Sequence, residues 1–295
     1  RLLALLQSQS ARPLRIALAA PTGKAAARLG ESIAQAIKKL PPTMQAHIPS
    51  QAQTLHKLLQ MRAAVQATPV PALALDLVVV DEASMVDLEL MARLLAAVPL
   101  SASLILLGDK DQLASVEAGA VMGQLCAGAE QGGYSQDTVS WLLTHSGGHV
   151  GAWGGQGSAL AQQTVMLRQS RRFAADSVIG QWATAVNAGD RQGVAQRWAD
   201  TALWQAGHLA SVTRLQPGQP SDASKAALVR HGWRDWLLQL QRLPNADVGT
   251  VMTGSCSDTQ ALALLAAFGQ FQVLCAVREG PWGVMALNRV ISRAL

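Results

Sequence analysis

Along residues 1–127, short apolar runs alternate with segments of helical spacing. Residues 15–19 (RIALA) lead into Ala20-Pro21-Thr22-Gly23, which reads as a buried strand feeding a loop. Residues 24–40 carry helical spacing, with Ala27, Ile33, Ala34 and Ile37 on one face, and Pro41-Pro42 ends the helix. Thr54 is placed to cap a short helix through Met61, and a loop with Pro69 and Pro71 follows. Residues 76–81 (DLVVVD) form a strand of β-branched residues ending in carboxylates. Residues 88–98 have helical spacing, 103–107 (SLILL) read as another buried strand ending in Gly108-Asp109, and 118–127 as a further helix. Near-continuous apolar strands alternating with helices predict an α/β fold, a parallel sheet covered on both faces. Function in such folds sits at the carboxyl ends of the strands. All three strands end there in polar residues: Thr22, Asp81-Glu82 and Asp109.

The pattern changes over 128–158, which holds nine glycines together with Trp141 and Trp153. Such a stretch reads as a long linker or mobile insertion. Beyond it, helices are expected near 177–188, 221–243 and 258–268, and a strand at 271–277 ahead of Gly280-Pro281-Trp282-Gly283. The expected organisation is therefore a first domain over 1–127, a glycine-rich linker or insertion over 128–164 and a second, partial domain over 165–295. Residues 1–9 and 291–295 both read as helices cut mid-course, so the two ends are expected to be cuts through a longer protein. The length of 295 residues fits two domains at about 150 residues each.

Composition narrows the class. Hydrophobic residues make up 49% of the chain, which excludes a disordered protein. No apolar run reaches the ~18 residues that a membrane span needs. The net charge of +5 is concentrated: residues 12–39 hold six basic side chains and one acid, Glu31. This permits a polyanionic partner, and it also fits a solvated helix face. Cys126, Cys256 and Cys275 are far apart and lack metal-ligand spacing, so they read as buried free thiols in a reducing cytoplasm.

Candidate chemistry sits at the strand ends. Asp81 is placed to hold Mg²⁺ on nucleotide phosphate oxygens, directly or through water, and Glu82 to deprotonate an attacking water. The same pair also fits a solvated loop, with Asp87 as a helix cap. Gly23-Lys24 is not a phosphate-binding loop: GxxxxGK[ST] would need glycine at 18 and Ser or Thr at 25, where Leu18 and Ala25 stand. At a helix start it remains a candidate anion site, suited to a DNA phosphate. Gln112, in the loop after the third strand, can bond both a γ-phosphate and a water. Arg168, Arg171 and Arg172 can supply an arginine finger or be solvated cations. His56 can contact a backbone phosphate or be a plain surface residue. Trp182, Trp198, Trp204, Trp233, Trp236 and Trp282 can stack bases, though their helical spacing fits core positions.

Taken in order, APTGKAAARL (20–29), TLHKLL (54–59), VVVDEASMVD (78–87), LLGDKDQLASVEAGAV (106–121), LRQSRRF (167–173) and LCAVREGPWGVMALN (274–288) resemble one family. It is the RecD family, the superfamily 1B DNA helicase subunit of exodeoxyribonuclease V (RecBCD). The resemblance implies RecA-like P-loop NTPase motor domains, a first one and part of a second, using ATP and Mg²⁺. It implies 5′→3′ movement on single-stranded DNA entered at duplex ends, and cytoplasmic assembly with RecB and RecC away from any membrane. By position, Asp81 would bind Mg²⁺, Glu82 would be the catalytic base and Gln112 would sense the γ-phosphate. Arg172 would be the finger, with Arg171 assisting. Pro21, Thr22, Gly23, Lys24, Thr54 and His56 would contact DNA, with Ser115 and Val116 lining the same channel. The family's P-loop is expected just ahead of residue 1 and its last motor motifs after residue 295, so this chain alone is expected not to hydrolyse ATP. Two other readings stay open: a non-catalytic DNA- or partner-binding adaptor with a degenerate RecA-like fold, and a small-molecule kinase.

Overall fold

The computed structural model describes residues 1–60, 71–112, 121–169, 173–174, 176–202, 212–215, 218–242 and 257–295. The chain divides into two compact units, Arg1–Gln169 and Ser170–Leu295.

The first unit is built on a parallel sheet in the order β2-β1-β3-β4. Its elements in chain order are α1 (Leu2–Gln9), β1 (Ile16–Ala20), α2 (Gly23–Ile37), α3 (Pro42–Gln45), β2 (Gln53–Thr54) and α4 (Leu55–Leu58). Then come β3 (Leu77–Val80), α5 (Leu88–Ala97), β4 (Ser103–Leu106), α6 (Val121–Leu125) and α7 (Gln136–Ser146). The expected α/β class is the one observed. Successive strand side chains point to opposite faces, so each apolar run feeds two cores. Leu18, Leu77 and Val79 pack with Leu3, Ala4, Leu29 and Ile48 on one face. Ala17, Ala19, Val78 and Val80 pack with Leu55, Leu58, Leu90, Met91 and Leu94 on the other. Burying each large side chain of this kind contributes roughly 1.5–3 kcal/mol. With water excluded from both faces, no alternation of polar residues is left to show in the sequence.

Several boundaries differ from expectation. The buried stripe of α2 runs through Ala26 and Leu29, with Ile33 and Ile37 partly covered, whereas Ala27 is exposed. Thr22 caps that helix by accepting from Ala25 N–H, and so sets its rotation onto the sheet. The glycine-rich stretch groups with the first unit and contains α7. It is tied together by Gln162, which donates to the Gly133 carbonyl and accepts from Ser135 N–H and the Thr138 hydroxyl. The buried Tyr134 adds a bond from its hydroxyl to the Thr164 carbonyl. Glycine content signalled tight turns as much as mobility.

The second unit contains α8 (Val178–Asn187), α9 (Arg191–Asp200), α10 (Ala223–Gly232), α11 (Arg234–Gln241), α12 (Asp258–Phe268) and α13 (Val284–Ala294). Among its described residues there is no sheet. Residues 271–277 are not a strand, and Leu274 is 89% exposed. β-Propensity becomes a strand only against a neighbour, and no described residue pairs with this run. The single helix expected over 221–243 breaks at the buried Trp233. That ring stacks on Phe268 at 5.5 Å, and its Nε1–H donates to the Phe268 carbonyl. Trp198 and Trp282 are exposed rather than core, and Trp204 lies outside the described residues. Cys126 and Cys275 are half-buried free thiols, and Cys256 lies outside the described residues. No described helix is long and apolar enough to cross a membrane.

Candidate nucleotide and nucleic-acid site

The strand register brings the candidate residues to one edge. Ala20 pairs with Thr54, Ala19 with Val80, and Val80 with Leu106, so the four strands end within one residue of one another, β1 and β2 running one residue beyond β3 and β4. The loops that follow therefore line up in the order of the sheet, about 4.8 Å apart from strand to strand. The order in which strands are added reverses between the parallel β1 and β3: β1 leads outward to β2, and β3 leads outward the other way to β4. A crevice at such a switch point is where open parallel sheets bind ligands.

Pro21, Thr22, Gly23 and Lys24 follow β1, Thr54 ends β2 and His56 follows it. These six residues occupy one half of the edge, at the ends of adjacent strands. Thr22 and Thr54 each cap the helix they precede, accepting from Ala25 N–H and Lys57 N–H at 3.2 Å. Lys24, His56 and Lys57 are exposed. A Cβ at Gly23 would meet nothing within 4 Å. The described residues therefore give no steric reason for glycine there.

Asp81 and Glu82 follow β3. Asp81 N–H still pairs with the Ala19 carbonyl at 2.9 Å, and Ala83 N–H pairs with the Leu107 carbonyl at 2.8 Å. The acidic pair is thus held by a strand on either side. Glu82 N–H donates to Asp81 Oδ1 at 2.9 Å. Glu82 itself has left-handed backbone, φ 52° and ψ 39°. For a side chain without special tolerance this costs about 1–3 kcal/mol, and such strain concentrates at functional sites. The turn lets Ala83, Ser84 and Val86 drop into the core. Asp87 caps α5 by accepting from Leu90 N–H at 2.8 Å, so its role is structural.

Gln112 lies beyond β4, and its Oε1 accepts from the buried Ser84 hydroxyl at 3.5 Å. At 3.5 Å this contact is at the far limit of hydrogen-bonding distance, and it brings the acidic turn against the loop carrying Gln112. A second join is steric: a Cβ on Gly108 would lie 3.0 Å from Ser84 N and 3.2 Å from Ala83 N. Sequence reading missed both residues. Gly108 was visible only as a turn glycine, and Ser84 only as part of the run after the acid pair. Lys110 bonds Asp111 at 2.6 Å and Glu130 at 2.9 Å, and these carboxylates raise its pKa above the usual lysine value. Burial pushes the nearby Cys126 thiol up, with Lys110 opposing.

Arg171, Arg172, Ser115 and Val116 lie outside the described residues. Among the described residues no three His, Cys, Asp or Glu side chains cluster as a metal site.

Residues 1–118 match AAA_19, a family of AAA domains. The "RecBCD enzyme subunit RecD" of Haemophilus influenzae is 34% identical over 311 aligned residues, covering 100% of this chain and 46% of that protein. Its counterpart from Mycobacterium tuberculosis is 37% identical over 297 residues, 98% of this chain and 42% of that protein. This chain is RecD-like. The RecD-like chain spans less than half the length of these curated relatives. An "ATP-dependent RecD2 DNA helicase" of Deinococcus radiodurans is 42% identical over 110 residues, 36% of this chain and 13% of that protein. The four-stranded parallel sheet of the RecD-like chain is that of a RecA-like P-loop NTPase fold.

Proposed function

We propose that this RecD-like chain is motor machinery of an ATP-dependent DNA helicase subunit, coupling ATP hydrolysis to 5′→3′ movement on single-stranded DNA. The observation that carries the reading is the shared sheet edge, where the four strands end within one residue of one another and two chemistries stand side by side. Beyond β1 and β2 lie capped helix starts with exposed Lys24, His56 and Lys57. Beyond β3 and β4 lie Asp81, Glu82 and Gln112, joined through Ser84. A DNA phosphate suits the first half and a nucleotide triphosphate the second.

Asp81 is the residue to hold Mg²⁺: a single strand-end carboxylate suits an ion that keeps several waters and shares phosphate oxygens. When bound, Mg²⁺ neutralises charge on the phosphates. Glu82 orients and deprotonates the attacking water, and Gln112 reads the γ-phosphate. Arg172, assisted by Arg171, supplies the finger. Pro21, Thr22, Gly23, Lys24, Thr54, His56, Ser115 and Val116 grip the strand. On this reading residues 1–127 belong to the first motor domain, 128–164 are an insertion and 165–295 are part of a second motor domain. The protein works in the cytoplasm with RecB- and RecC-type subunits at DNA ends.

The test is ATP turnover of the protein expressed from its complete gene, with and without single-stranded DNA, beside Glu82→Gln. DNA-stimulated turnover abolished by that change is expected. DNA binding without turnover in the unaltered protein would instead favour an adaptor. The 295 residues contain no GxxxxGK[ST], and alone they are expected to bind DNA without hydrolysing ATP.

A further inference from the structure

A chain of contacts links the Gln112 loop to the polypeptide ahead of Arg171. Lys110, two residues before Gln112, bonds Glu130 at 2.9 Å. Glu130 sits in the turn 128–133. The Arg168 guanidinium clasps that turn, its Nη2 donating to the carbonyls of Ala129 at 3.2 Å and Glu130 at 2.8 Å. The same guanidinium lies 4.5 Å over the Trp153 ring. The Trp153 carbonyl in turn accepts from Gly133 N–H at 2.9 Å and Tyr134 N–H at 3.1 Å. Gly132 has φ 75°, and a Cβ there would strike the Trp153 Cβ and carbonyl, so glycine lets the turn lie against the Trp153 backbone. A polar cavity of about 300 Å³ is lined by Lys110, Asp111, Cys126 and Glu130. Two residues, Gln169 and Ser170, separate Arg168 from Arg171.

We propose that Arg168 is a positioning residue for ATP turnover. It locks the 128–133 turn so that Glu130 holds Lys110, fixing the loop that presents Gln112. It also pins the chain three residues ahead of Arg171. Arg168 acts through other residues and touches neither Asp81, Glu82 nor Gln112 in any described contact. The role needs arginine, because a planar guanidinium stacks on an indole and donates in its own plane at once, which an ammonium does not do. Contacts that share groups in this way act as a unit, so removing one loosens the rest. The turnover part of this proposal rests on the motor reading above; the clasp itself does not.

The experiment has two arms on the protein from the complete gene. In hydrogen exchange, Arg168→Ala is expected to lower protection of 108–112 and 128–133 while leaving Ile16–Ala20 and Leu77–Val80 unchanged. In steady-state kinetics it is expected to lower kcat about tenfold, since small misplacements of reacting groups carry penalties of this order. KM for ATP and the Kd for single-stranded DNA should stay within about twofold, a split that general destabilisation does not produce. Trp153→Phe, which keeps a ring for the stack, should restore both readouts towards the unaltered protein, and Trp153→Ala should match Arg168→Ala. Unchanged protection of 108–112 overturns the clasp, and unchanged kcat despite a loosened loop overturns the positioning role. If Arg168→Ala also loosens the strands, Glu130→Gln replaces it and must loosen 108–112 alone; failure to do so overturns the proposal. An unaltered protein without turnover counts against the motor reading, and the exchange arm then decides the clasp by itself.

Discussion

Replacing Gly108 with alanine tests whether the loop after β4 and the acidic turn after β3 are one rigid piece. The added Cβ would lie 3.0 Å from Ser84 N and 3.2 Å from Ala83 N, closer than ordinary van der Waals contact. Neither atom yields easily. Ala83 N–H is bonded to the Leu107 carbonyl at 2.8 Å, and Ala83 and Ser84 are both buried. Forcing a methyl into a packed place costs about 1–3 kcal/mol. Alanine returns about 0.4–1 kcal/mol by restricting the unfolded chain. The net loss then lies between about 0 and 2.6 kcal/mol, centred near about 1.3 kcal/mol, or a fall of roughly 3–5 °C in Tm for a unit of this size at the central value. Thermal unfolding followed by circular dichroism, with urea unfolding alongside, measures it. The displacement falls on Glu82, already in left-handed backbone. Turnover in the complete protein should therefore drop further than stability alone explains. A Tm equal to or above that of the unaltered protein would refute the packing argument, because the entropic gain would then be acting without opposition.

Gly23→Ala is the converse case: with nothing within 4 Å of the new Cβ and a helix start to stabilise, Tm should hold or rise, by at most about 1 kcal/mol equivalent. Affinity for single-stranded DNA, read by fluorescence anisotropy, should nevertheless fall, and an unchanged Kd would remove Gly23 from the interface. Asp76 accepts from the Arg15 and Arg12 guanidiniums and from Arg15 N–H, and these bonds hold its carboxyl well below the usual range. Its folded pKa lies below its unfolded one, so its contribution is present above about pH 4 and is lost as pH falls. Asp76→Asn should lower the urea midpoint equally at pH 7 and pH 5 and by less at pH 3.5. A gap that does not narrow with falling pH would show that the ionised carboxylate is not the source.

Much of the first unit was legible because its signals are local. The strands at Ile16–Ala20, Leu77–Val80 and Ser103–Leu106 are largely apolar runs, and the loops after them hold polar residues. The cap at Thr54 was readable because a side-chain oxygen meets a backbone donor three residues on, whatever lies elsewhere. Where a reading failed, a distant partner was decisive. The run 271–277 has strand propensity and no described neighbour to pair with. The stretch 128–158, read as a linker or insertion, carries ties from Gln162 and Tyr134 that its composition does not announce. The helix rotation that buries Ala26 and exposes Ala27 was set by Thr22 and the sheet beneath, which a helical wheel cannot see.

By itself the sequence determined the α/β class, the order of strands and helices in the first unit, and which side chains can carry nucleotide chemistry. These follow from periodicity and residue type, which act over a few positions along the chain. Only the tertiary structure decided that β1 and β3 are central neighbours whose ends set Lys24 and His56 on one half of an edge and Asp81, Glu82 and Gln112 on the other. It also decided that Ser84 bonds Gln112, that Gly108 must be bare, and that Arg168 reaches back 38 residues to the Glu130 turn. Strand order, close backbone approach and long-range hydrogen bonds depend on groups brought together by burial, and separation along the chain carries no record of them.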